Sequence, residues 1–140
     1  MKTFSHSFTL PGHPETHLWR FTAKGEEAWV PGWRPRYLHP ESGDTRHEML
    51  WQTGGGDDLT YWCCLAWEPD LLHARYLRLM PAKQISFVDV RLAPDEAGTR
   101  VTVGYEHHPL TGAAKAALDA QTPDDFARSI DGWRELILAA

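Results

Sequence analysis

Tyr76, Arg78, Tyr105 and His107 are polar side chains set two residues apart inside otherwise apolar runs, a spacing that could bring them around one ligand. Residues two apart on a strand share a face. Tyr105 and His107 therefore share the face of Val101 and Val103, which should turn inward. The alternation around Tyr76 and Arg78 is less decisive, so Arg78 either enters the interior or lies on a solvated strand face. If it enters, the interior holds one cation and up to three hydrogen-bonding groups. Such a set would suit an amphiphile with an apolar body and a carboxylate or enol placed on Arg78. The same groups could instead polarise a carbonyl and shuttle a proton, as in a cyclase- or aldolase-like enzyme. No nucleophile is matched with a base, so no catalytic residue is assigned.

Other chemistry-bearing residues read as structural. His13 and His17 are four apart, but "HPETH" puts Pro14 where a zinc protease has its glutamate, and no metal site is expected. Cys63 and Cys64 are the only cysteines; as strand neighbours they point to opposite faces and read as two small core residues. "GGGDD" at 54–58 lacks the lysine and following helix of a phosphate cradle, so it reads as a hairpin tip. His6, between Phe4 and Phe8, reads as a hydrogen-bonded core histidine. No cofactor is expected.

These residues belong to a chain of 140 residues, the size of a single domain spanning 1–140. The net charge is −5 and basic residues come in pairs such as Arg34/Arg36 and Arg75/Arg78, which excludes nucleic acid as a partner. No apolar run approaches the ~20 residues of a membrane-crossing helix, so membrane insertion is not expected. "MKTFSHSFTL" alternates rather than forming the apolar block of a secretory signal, and a cytoplasmic location is the expectation. Seven tryptophans in such a chain imply a thick core or the walls of a cavity.

Residues 3–10 alternate as a strand. "ETHLWRFT" and "AKGEEAWV" suggest two short helices, the second capped by Thr22 and stopped by Pro31. From residue 36 to 108 the period is two, giving six strands joined by tight turns, including one over "TRHEMLWQT" that places His47, Met49, Trp51 and Thr53 on one face. Thr122, Pro123 and the acids at 124 and 125 then open a helix on which Phe126, Ile130, Trp133 and Ile137 form a stripe. The sum is an α+β fold, a curved antiparallel sheet of about seven strands around a long C-terminal helix.

This element order, with "AWVPGWRP", "TYW", "GTRVTVGYEHHPL" and "TPDDFARSIDGW", resembles the helix-grip fold of the START-related SRPBCC superfamily. The nearest branch is that of the heat-shock chaperone ATPase activator homologues. The resemblance implies an internal cavity that binds a small hydrophobic or amphipathic molecule. It leaves open a cyclase-like enzyme and a chaperone ATPase regulator acting by protein contact. A homodimer through an edge strand also stays open. Within that fold the pocket is expected to be lined by Trp29, Trp33, Trp51, Trp62, Val90, Val103, Tyr105, Phe126, Ile130 and Trp133, with Tyr76, Arg78 and His107 as its polar members. Trp29 and Trp33 flank the Pro31-Gly32 bend, either as ligand wall or as a plug for one end.

Overall fold

The computed structural model describes residues 1–140 as one seven-stranded antiparallel sheet with a long C-terminal helix. The strands are β1 (Lys2–Leu10), β2 (Arg36–His39), β3 (Leu50–Thr53), β4 (Thr60–Glu68), β5 (His73–Met80), β6 (Gln84–Asp95) and β7 (Gly98–Pro109). Their order in the sheet is β1-β7-β6-β5-β4-β3-β2, so β2 to β7 form a meander and β1 closes against its last strand. The helices are α1 (Ala23–Glu26), α2 (Gly112–Ala120) and α3 (Pro123–Ala139). None is long and apolar enough to cross a membrane.

The register stacks the inward side chains into rows. Trp51 lies opposite Trp62, Trp62 opposite Arg78, Arg78 opposite Ser86, and Ser86 opposite His107. The next row runs Cys64, Tyr76, Val88, Tyr105, Phe4. Partners directly opposite on an antiparallel pair share a face. Since Tyr76, Val88, Ser86 and His107 are buried, Arg78 enters the interior and does not lie on a solvated face.

α3 packs along β1. Thr122 and Asp125 form a capping box: the Thr122 hydroxyl accepts from the Asp125 amide at 3.1 Å, and the Asp125 carboxylate accepts from the Thr122 amide at 2.9 Å. Phe126, Ile130 and Ile137 turn into the core, and the Arg134 Nε donates to the Thr9 carbonyl at 2.8 Å. His6 faces the rim of this contact, within 2.7 Å of Asp131; it is hydrogen-bonded as expected, but at the margin rather than in the core.

Four further expectations are corrected. Residues 15–22 form two 3-10 turns, Pro14–Thr16 and Leu18–Phe21, which meet at His17, where the ring is drawn back to the Pro11 carbonyl at 2.6 Å. α1 is a single turn, capped by Thr22 at 2.9 Å through the Gly25 amide. The third strand begins at Leu50, since Glu48 takes a left-handed φ of 65° that no strand continues through, and His47 is exposed while Met49 and Trp51 stay buried. α2 has no counterpart in the sequence reading; Thr111 caps it, but only Leu118 is buried, so it has no apolar stripe.

Candidate functional site

α1 and the turn after it set one wall of an internal chamber. Glu26, Trp29 and Val30 stand three and four residues apart, and the amides of Trp29 and Val30 both return to the Glu26 carbonyl, at 3.2 and 2.9 Å. The three side chains therefore share one face. Each indole of the elbow is pinned to backbone behind it: Trp29 Nε1 donates to the Arg20 carbonyl and Trp33 Nε1 to the Ala23 carbonyl, both at 2.8 Å. Gly32 turns the bend with φ 70° in open space. Trp29 and Trp33 thus act as wall and end-plug at once, because their rings face the hollow while their N–H groups lock the elbow.

The opposite wall is the sheet. Trp51 and Trp62 stack with centroids 5.6 Å apart and planes within 2°, and Tyr76 meets Trp51 edge-on at 5.8 Å. Val88, Val90 and Tyr105 continue the floor, and Trp133 of α3 closes the side, 5.7 Å from Trp29. The chamber, open on one side, has a volume of about 210 Å³. That exceeds the ~150 Å³ apolar cavity known to admit benzene, so one substituted ring fits.

Of the thirteen residues expected to surround a ligand, nine border this chamber: Trp29, Trp33, Trp51, Trp62, Tyr76, Arg78, Val90, Tyr105 and Trp133. Four do not. Val103 is fully buried beside it, in the solid core between β6 and β1. His107, Phe126 and Ile130 border a separate hollow of about 200 Å³, on the far side of Arg78, Tyr105 and Trp133. The row spacing explains the split: His107 lies two strands beyond Arg78, past Ser86, out of reach of the Trp51–Trp62 end. The chamber also contains Phe21, Ala23, Val30 and Val88, and one acid, Glu26, that sequence reasoning did not single out. Its signal was present in the i, i+3, i+4 relation to Trp29 and Val30.

The polar groups are unevenly satisfied. Tyr76 Oη donates to the Phe21 carbonyl at 2.7 Å, and burial raises its pKa well above the ordinary tyrosine value. Burial also raises that of Tyr105, against the partial opposition of Arg78. Arg78 is the exception. Its Nη2 reaches Ser86 only at 3.5 Å, its guanidinium lies 5.4 Å from the Tyr105 ring, and its buried Nε has no partner at all. The Trp51 indole N–H is likewise buried and unpaired. Glu26 is half-buried, and burial alone raises its pKa from 4.5 to about 8. His107, held 2.7 Å from Ser86 through Nδ1, is pushed down to about 4 by burial and then by Arg78 and His108, so it is neutral.

The residues set aside earlier also find their places. Both ring nitrogens of His17 are engaged, with Pro11 at 2.6 Å and Arg20 at 3.2 Å. Cys63 and Cys64 are free thiols, and burial pushes Cys64 up to about 12. Residues 56–58 are a 3-10 turn between β3 and β4.

No family model matches the chain, and no curated protein does. Solved structures do. The Mesorhizobium loti protein MLL2253 is 16% identical with a TM-score of 0.68, over 99% of this chain and 98% of that one. The hypothetical protein jhp0584 of Helicobacter pylori is 11% identical with a TM-score of 0.76, over 99% and 86%. TTHA0849 of Thermus thermophilus is 15% identical with a TM-score of 0.64, over 99% and 98%. At these identities the likeness is one of fold, and it extends along the whole length of this chain.

Proposed function

We propose that this protein is a helix-grip binding module that encloses a small amphipathic molecule, a ring-sized apolar body ending in a carboxylate. The observation that carries the reading is Arg78. A guanidinium facing an aromatic chamber, with a buried Nε that has no acceptor and no carboxylate in ion-pair contact, is costly to leave as it stands. An anion supplied by a ligand removes that cost with charge-assisted hydrogen bonds. The apolar body rests on Trp29, Trp33, Trp51 and Trp62. Binding is favoured over turnover because the hydroxyl of Tyr76 is committed to backbone and His107 stands outside the chamber.

The test is isothermal titration calorimetry with 4-isopropylbenzoate and with the matching uncharged alcohol, 4-isopropylbenzyl alcohol. The acid should bind roughly tenfold to hundredfold more tightly, the worth of a charge-assisted contact. Arg78→Met should abolish that preference while leaving the alcohol's affinity unchanged. No heat from either compound, with native mass spectrometry showing no adduct, rejects the reading.

A further inference from the structure

The chamber has a second ionisable group without a partner. Glu26 borders the same hollow as Arg78, yet no ion pair joins them. It receives no hydrogen bond from a neighbour, and no lysine or arginine forms an ion pair with it. A carboxyl on the wall of an aromatic chamber, with no hydrogen-bond partner in the protein, is open to a partner on a ligand. The two stand on different elements, α1 and β5, and no ion pair joins them, so the hollow presents two distinct polar groups.

We propose that Glu26 is the second recognition residue of the chamber, donating its carboxyl hydrogen to an oxygen acceptor on the ligand other than the group that meets Arg78. This inference rests on the ligand reading above. It narrows the ligand to a compact ring bearing a carboxylate and, apart from it, a carbonyl or ether oxygen. Two observations favour a donor over an anion at Glu26. No lysine or arginine contacts its carboxyl, and burial holds the carboxyl protonated at neutral pH.

The groups that face Glu26 leave its titration isolated. Lys24 and Glu27 share its element, and the Lys24 ammonium sits over the Tyr37 ring while Glu27 accepts from the Tyr37 hydroxyl. Tyr76 and Arg78 of β5 and Tyr105 of β7 share the chamber with it, Tyr37 of β2 lies outside the chamber but feels its charge, and Cys64 of β4 lies beyond Tyr76. Tyr37, Tyr76, Tyr105 and Cys64 are all shifted upward, away from the neutral range.

The experiment compares 4-acetylbenzoate with its oxygen-free isostere 4-isopropylbenzoate, and with 4-(aminomethyl)benzoate, by calorimetry between pH 6 and pH 10. Wild type should prefer the acetyl compound by roughly tenfold at neutral pH. That preference should fall through pH 8, where Glu26 ionises, and vanish by about pH 10. Glu26→Gln, which keeps a donor without a titrating proton, should retain the preference and flatten its pH profile; Glu26→Ala should erase it. Equal binding of the two benzoates at every pH overturns the role of Glu26 while leaving Arg78's intact. Preference for the amine, growing above pH 8, overturns it in favour of an anionic Glu26. Failure of all three compounds to bind overturns the ligand reading itself.

Discussion

His107 shows how one side chain can be well placed for structure and badly placed for chemistry. Its ring is buried beside Ser86, which is itself without solvent contact, and the hydrogen bond between them is 2.7 Å. Replacing His107 by Ala removes the partner of a buried hydroxyl and opens a void next to Phe4. The loss should be about 2–3 kcal/mol in chemical denaturation, the sum of an unsatisfied polar group and a cavity. His107→Gln, which can still reach Ser86, should recover part of it. The alternation of "VTVGYEHH" made the inward direction of His107 readable from sequence. What it could not convey was depth along the strand, because distance from the chamber depends on the pairing of β5, β6 and β7. Glu26 illustrates the converse. A glutamate in the first turn of a helix ordinarily favours the dipole from the surface, and only the tertiary placement of Glu26 on the wall that Trp29 and Trp33 share reverses that expectation.

At the scale of elements, the long ones were legible and the short ones were not. β6, β7 and α3 carry enough periodic residues to declare themselves, and α3 starts at the position its cap and proline dictate. The segment from 14 to 35 has no period, because its shape is set by hydrogen bonds to side chains and by one close approach. That approach is at Gly25, where an added Cβ would overlap the Trp19 carbonyl oxygen. The glycine that sequence propensity treats as a weak point in a helix is thus required for α1 to dock. Gly25→Ala should destabilise the protein by about 3 kcal/mol despite its better helix propensity, measured by urea denaturation. An unchanged midpoint would mean that α1 is not seated on the 18–21 turn. α2 escaped notice for a related reason: it is held less by packing than by Lys2, whose ammonium donates to the Leu118 and Gln121 carbonyls at its C-terminal end, both at 2.5 Å.

For the whole molecule, the two interior titrating groups pull stability in opposite directions. Glu26 has a folded pKa near 8 against 4.5 in its ordinary state, so the native chain binds the extra proton and stability declines as pH rises between those values. His107 is lowered from 6.5 to about 4, so the unfolded chain binds the extra proton and stability rises with pH across that window. The two oppose each other from about pH 4.5 to 6.5. Above 6.5 only Glu26 remains, and the unfolding free energy should decrease steadily toward pH 8. Glu26→Gln should remove that decline, as read from denaturation midpoints at pH 6.5 and 8. A wild-type midpoint that stays level or rises over the interval would place the Glu26 carboxyl in contact with solvent. The sheet that buries these groups also holds Trp51 and Trp62 parallel at 5.6 Å. Two indoles so close exchange excitation energy, so their near-ultraviolet absorption and circular dichroism belong to a coupled pair. Any guest that wedges them apart or tilts one ring announces itself spectroscopically, without a dye or a label.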